Sequence, residues 1–264
     1  MDAAQLLGIG ATAFVTAVLS GVLGMAGGVA LLAVLLVYLP PLVAIPLHGV
    51  IQLVSNGSRV FVQRRHARFD WIAWYALPLI PAGLIGLRVA QALPERLVEG
   101  SIGAVVLLAT WLPKQGGAAE VTARRPRFFL RSLRSLRAPP DGGARLRFLA
   151  LGTCSGFLSL VLGAVGPMID PFFLGLGLSR QALVGTKAAC QAIGHTVKVG
   201  IFGVAGFAFA EHAPLLTLGA VCAVAGSFVG SRLLDKLSEQ SFLWLYRGVL
   251  TALALHLVWK AIPI

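Results

Sequence analysis

Acidic side chains are scarce: the 264 residues hold 10 Asp and Glu against 22 Lys and Arg. No carboxylate pair suited to acid–base hydrolysis stands out, and no HExxH, Walker loop or Gly-x-Ser-x-Gly elbow is present. Those absences argue against hydrolytic enzymes and against an ATP-driven pump. Cysteine is also rare, and Cys154, Cys190 and Cys222 lie in apolar runs without CxxC spacing. A disulfide framework and a thiolate metal site are thereby disfavoured, and the three read as packing residues. No metal or cofactor is expected. Charge as a whole is thin, at 12% of residues against 57% hydrophobic, with a mean hydropathy of +0.85, which excludes an ordinary soluble domain.

What remains is a set of apolar runs, near residues 6–39, 42–62, 71–93, 97–112, 146–178, 181–210, 213–231 and 241–259, each bounded by charge, Pro or Gly. The chain therefore reads as an all-α, polytopic membrane protein. No basic stretch precedes the first run and no small-residue cleavage site follows it, so Leu6 onward is expected to be mature protein rather than a signal peptide. Trp71, Trp74, Tyr75, Trp244 and Tyr246 fall near run ends and read as interfacial anchors.

The net charge of +12 is unevenly placed. Lys114, Arg124, Arg125, Arg127, Arg131, Arg134, Arg137, Arg145 and Arg147 crowd one stretch, against only Glu120 and Asp141. By the positive-inside rule that loop is cytoplasmic, and RFFLRSLRSLR within it suits a short amphipathic helix on anionic headgroups. Nucleic-acid binding is not expected, because no aromatic platform or known motif accompanies the charge. The division is then a first membrane repeat at 1–112, a basic linker at 113–146 and a second repeat at 147–264.

Two polar ladders interrupt the apolar runs: His48, Gln52, Asn56 and Arg59, and Lys187, Gln191, His195 and Lys198. Steps of four, four and three residues return to one helical face in both. Such groups at membrane depth are costly unless they face a partner or a wet cavity, so their default reading is functional. Their charge is mostly positive, which points to an anion. Snorkelling to the interface is an equal alternative for Arg59 and Lys198, each near a helix end.

Sliding the chain by 139 residues places Ser20 on Ser159, Leu23 on Leu162, Gly24 on Gly163, Gly27 on Gly166 and Gln52 on Gln191. With five further residues inserted, Gly86, Arg88, Leu93 and Glu95 fall on Gly230, Arg232, Leu237 and Glu239. The chain is a duplication. Arg64, Arg65 and Arg68 follow the first ladder, while residues 200–212 contain no Lys or Arg; the next connection reverses that bias. Opposed charge favours inverted repeats with both termini outside the cytoplasm, a parallel arrangement being the alternative.

The aligned stretches GVLGMAGGV (21–29) and VLGAVGPMIDP (161–171) break the two overlong runs. Residues 6–19 would reach only about 21 Å, which favours two short arms and a re-entrant hairpin. Paired Gly-broken segments mark a transporter's binding site, whereas in the plainer reading such glycines only let helices approach. Free N–H groups at a broken helix suit an oxyanion, with Gly27, Gly28 and Gly166 allowing its approach. Gln52, Gln191 and Asn56 would add amide donors, and His48, Arg59, Lys187, His195 and Lys198 positive charge. His195 also titrates near neutrality and is a candidate proton carrier. Asp170, the acid within the broken segments, is a second proton candidate, a counter-charge for Lys187, or a helix cap.

GVLGMAGG at 21–28, RHARFDW at 65–71, PAGLIG at 81–86, GAVGP at 163–167 and VGTKA at 184–188, in this order and with the duplication, resemble the TauE/SafE sulfite exporter family. The resemblance covers nearly the whole chain. It implies a secondary transporter of sulfite, sulfoacetate or a related sulfonate in the bacterial cytoplasmic membrane, surrounded by lipid and admitting a homodimer. The first cluster is GMAGG rather than an unbroken Gly run, and the second continues as Pro-Met-Ile-Asp-Pro. An integral-membrane enzyme acting on a lipid phosphate, and a non-transporting assembly protein, are the competing classes.

Overall fold

The computed structural model describes residues 2–23, 27–111, 142–166, 172–173, 178–233 and 239–262. Among these the secondary structure is helical, with no strand. The first half contributes α1 (Ala3–Leu23), α2 (Gly27–Tyr38), α3 (Pro41–Gln63), α4 (Phe69–Ala76), α5 (Leu79–Ala92) and α6 (Glu95–Trp111). The second contributes α7 (Gly142–Val161), α8 (Arg180–Val204), a 3-10 turn (Phe209–His212), α9 (Ala213–Leu233) and α10 (Glu239–Ala261).

Local chemistry sets the ends. Asp2 and Gln5 form a reciprocal capping pair, each backbone N–H donating to the other's side chain at 2.7 and 3.1 Å, and this starts α1 three residues before its apolar run. Pro40 and Pro41 open α3, since proline suits the first helical turn, where its missing N–H goes unnoticed. Ser179 caps α8 by accepting from the Ala182 N–H at 3.2 Å. The span Phe69–Ala76 plus Leu79–Ala92 bends by 44° beside Pro78.

The capping pair corrects the expected short first arm. With 21 residues α1 reaches about 32 Å, enough to cross a hydrocarbon core of about 30 Å. α7, with 20 residues, does the same, whereas the 12 residues of α2 reach about 18 Å. The break thus divides the first run into one long and one short helix. Among the described residues three helical stretches, Ala3–Ser20, Gly142–Val161 and Phe209–Gly230, are long and apolar enough to cross a membrane, or four with the bent pair counted as one span.

The described helices present apolar side chains outward while polar ones are held inside. Leu7, Ile85, Val221, Leu255 and Trp259 are more than half exposed, whereas His48, Gln52, Asn56, Arg59, Lys187, His195 and Lys198 are buried. That inside-out distribution suits a lipid solvent. α2 is enclosed, with Leu31, Leu32, Leu35 and Leu36 inaccessible and packed with Ile45, Leu47 and Ile51 of α3.

Packing between the halves is crosswise: α1 lies on α9, α5 on α7, α3 on α8 and α6 on α10. Gly86 of α5 sits so close to the Phe157 carbonyl of α7 that a Cβ would collide with it. Gly230 of α9 meets the Val18 carbonyl of α1 in the same way, at 2.5 Å from an added Cβ. Gly86 and Gly230 fall on each other under the internal sequence shift, as do Val18 and Phe157, and the two glycine-to-carbonyl contacts are alike.

The aromatic expectations need correction. Trp71 and Tyr75 are 7% and 1% exposed rather than interfacial, because α4 packs across α7. The Trp71 ring rests against Phe148 at 5.4 Å and beneath the Arg68 guanidinium at 4.4 Å. Trp74 is half-buried, with the Arg145 guanidinium 5.2 Å from its ring, and the side chains of Trp244 and Tyr246 lie outside the described residues. Of the cysteines, Cys190 is buried and Cys222 half-buried, while Cys154 is exposed rather than packed.

Candidate functional site

α3 and α8 carry the two ladders and cross against each other. At Gly49 an added Cβ would lie 3.0 Å from Lys198 Cδ and 3.4 Å from Val199 Cγ2, so glycine permits the approach. Beside the crossing, the His48 and His195 rings meet edge to face, 5.6 Å apart between centroids. A narrow cavity of about 20 Å³ opens there, room for one or two water-sized groups. The first half supplies Gly28, His48, Gln52 and Arg59 to its wall, and the second Gly166, Gln191 and His195. Ser20, Tyr75, Ser155 and Ser159 complete its polar lining.

The first ladder is tied into a network. His48 Nε2 donates to the Gly28 carbonyl at 2.8 Å, which anchors α3 to the start of α2. The Asn56 amide donates to the Gln52 carbonyl at 2.9 Å, and Asn56 Oδ1 accepts from the Arg59 guanidinium in a short charged bond. Arg59 also donates to the Ser20 carbonyl at 3.2 Å, near the C-terminal end of α1, where the helix dipole favours a cation. Gly27 donates its N–H to Ser20 Oγ at 3.1 Å, and a Cβ there would strike the Thr16 carbonyl oxygen. A Cβ on Gly28 would stand 3.3 Å from the Gln52 carboxamide, so the glycine keeps α2's free N–H end close to that amide.

The second ladder is arranged differently. Gln191 is half-buried on the cavity wall. The Lys187 ammonium is buried 5.5 Å from the Phe173 ring centroid, outside the cavity lining. Lys198 is inaccessible and donates to the Gly163 carbonyl at 2.5 Å, just past the end of α7. Gly163 has φ of +75°, a left-handed turn that glycine adopts without strain. Both ladders therefore end in a buried cation that binds a carbonyl where a long helix stops, which answers the snorkelling alternative for Arg59 and Lys198. Asp170 lies outside the described residues.

The cavity thus gathers Gln52, Gln191, His48, His195, Arg59, Gly28 and Gly166, and leaves Asn56, Lys187, Lys198 and Gly27 behind it or to one side. Sequence reasoning passed over the lining serines and Tyr75. Ser20 and Ser159 did coincide under the 139-residue shift, the one available signal, while an aromatic near a run end carries none for burial. Among the described residues no group of His, Cys, Asp or Glu is placed to hold a metal ion.

No curated protein and no solved structure matches the chain significantly. The sequence pattern of the sulfite exporter TauE/SafE family matches residues 9–257. With nearly the whole length matched, and a polar cavity inside an apolar helical body, the chain belongs to the sulfite exporter TauE/SafE family of membrane transporters.

Proposed function

We propose that the chain is a secondary transporter that moves sulfite, sulfoacetate or a related sulfonate across the bacterial cytoplasmic membrane, with the cavity between α3 and α8 as its anion site. One observation carries the reading: the central rung of both ladders, Gln52 and Gln191, lines a single cavity together with a broken-helix glycine from each half. Amide N–H groups and free helix-end N–H groups hydrogen-bond the oxygens of a tetrahedral sulfur group. Arg59, with Lys187 and Lys198 further out, offsets the anion's charge, and Asn56 orients Arg59 for that task. The Gly27 N–H, held by Ser20 Oγ, ties the start of α2 to α1 beside Gly28.

The two halves are inverted repeats that alternate access to this site by rocking against each other, a reading supported by the crosswise packing and by the twofold recurrence of the Gly86–Phe157 crossing. The cavity's small volume fits a closed conformation that must open to admit the anion. The basic linker faces the cytoplasm and both termini the other side. Purified protein in liposomes tests the proposal: labelled sulfite or sulfoacetate should exchange across the bilayer saturably and emerge chemically unchanged. Chemical conversion of the anion, or flux equal to that of protein-free vesicles for every sulfur oxyanion, would refute it.

A further inference from the structure

Two imidazoles, one from each half, share the cavity and sit 5.6 Å apart, at 1% and 9% exposure. The Gly28 carbonyl beside His48 Nε2 can only accept, so Nε2 carries a proton. In the neutral ring Nδ1 is then an acceptor, buried without a hydrogen bond, and the Gly163 backbone lies beside the same ring. Nδ1 of His195 is likewise buried and unpartnered. Buried polar atoms are almost always satisfied, so two orphans on facing rings in one polar cavity point to something that binds there.

Resting on the reading of the cavity as an anion site, we infer that His48 and His195 together bind one proton, and that the transporter carries its anion and this proton as a pair. A proton taken from water on the open side forms one N–H bond at an orphan nitrogen, turning a bare acceptor into a donor for an anion oxygen. On the opposite side the same N–H bond breaks and the proton leaves with the anion. The groups around the pair decide the linkage. α3 brings Arg59, α8 brings Lys198 and α4 brings the Tyr75 hydroxyl, while Lys187 and the buried Cys190 thiol lie on α8 outside the cavity lining. Among the described residues no carboxylate lines the cavity. Without an anion these cations oppose a further positive charge; with one they are offset, so anion and proton favour each other's binding reciprocally. Repulsion between two imidazolium rings at this distance limits the pair to one proton.

Proton uptake on binding tests the pair directly. The purified full chain in weak buffer is mixed with sulfate, methanesulfonate or sulfoacetate, none of which changes protonation near neutral pH, while a pH indicator reports uptake and thermal stabilisation reports binding. About one proton should be taken up per anion bound, and affinity should fall about tenfold per pH unit above the titration range. The doubly substituted His48→Gln, His195→Gln protein should bind more weakly, take up no proton and lose that pH slope. Binding by the native protein without uptake overturns the pairing and leaves the anion site standing, as does undiminished uptake in the folded double variant. If none of the three probes stabilises the protein, the anion site itself fails and the pairing with it. Should the double variant not fold, native uptake and its pH slope decide.

Discussion

α3 and α8 carry the same ladder at the same spacing and use it differently. In α3 the rungs are tied to one another: Asn56 bridges Gln52 and Arg59, and Arg59 reaches the Ser20 carbonyl. In α8 the rungs work apart, with Lys198 on the Gly163 carbonyl, Lys187 against Phe173, and His195 in contact with the His48 ring. The bracing at the ladder ends is thus alike in the two helices, and the middle differs. One half supplies the braced set of Gln52 and Arg59 with His48, and the other supplies Gln191 and His195.

The largest expected effect tests whether the halves are equivalent at all. Gly86→Val and Gly230→Val each drive a branched side chain into a backbone carbonyl across a helix crossing, so each should destabilise by about 3 kcal/mol or more. Thermal unfolding in detergent should show similar losses for the two; a severe loss for one and none for the other would break the equivalence.

Next come the ladder ends. Lys198→Met and Arg59→Met both remove a charged hydrogen bond to a helix-end carbonyl, worth about 1.5–3 kcal/mol, and both should slow transport in liposomes at least tenfold. Only Arg59 lines the cavity, so anion affinity should drop more for Arg59→Met than for Lys198→Met. The reverse order would place the anion nearer α8's end. Asn56→Ala, which removes one acceptor from the Arg59 guanidinium and leaves the cation in place, should weaken affinity only about threefold to tenfold, equivalent to about 0.7–1.4 kcal/mol. The smallest effect belongs to Gly57, on α3 with nothing within 4 Å of an added Cβ: Gly57→Ala should leave transport unchanged and raise stability by up to about 1 kcal/mol.

Much of this arrangement is legible in the sequence, for a physical reason. A Gln or His inside an apolar run has few tolerable places in a membrane, so the ladders, their repeat and the cavity between them follow from spacing and cost. What escaped the sequence was set by distant partners or weak signals. α1's length depends on the Asp2–Gln5 capping pair, which lies outside the apolar run. Whether Arg59 and Lys198 snorkel or turn inward depends on carbonyls 39 and 35 residues away. Tyr75 reads like an interfacial anchor until α4 is laid across α7. Ser155 and Ser159 carry no charge, and a serine hydroxyl can satisfy itself on its own helix, as Ser159 does on Gly156 at 3.3 Å, so nothing in the sequence demanded a cavity beside them.

The central claim is that Gln52 and Gln191 hold the anion from opposite halves, and anion affinity in Gln52→Leu and Gln191→Leu tests it most directly. Leucine keeps the approximate size and removes donors worth about 1.5–3 kcal/mol to a charged acceptor, so sulfite or sulfoacetate affinity should fall about tenfold to a hundredfold in each. Arg124→Gln in the basic linker serves as the control and should bind as the native protein does. Native affinity in both folded glutamine variants would contradict the account and place the anion elsewhere in the molecule.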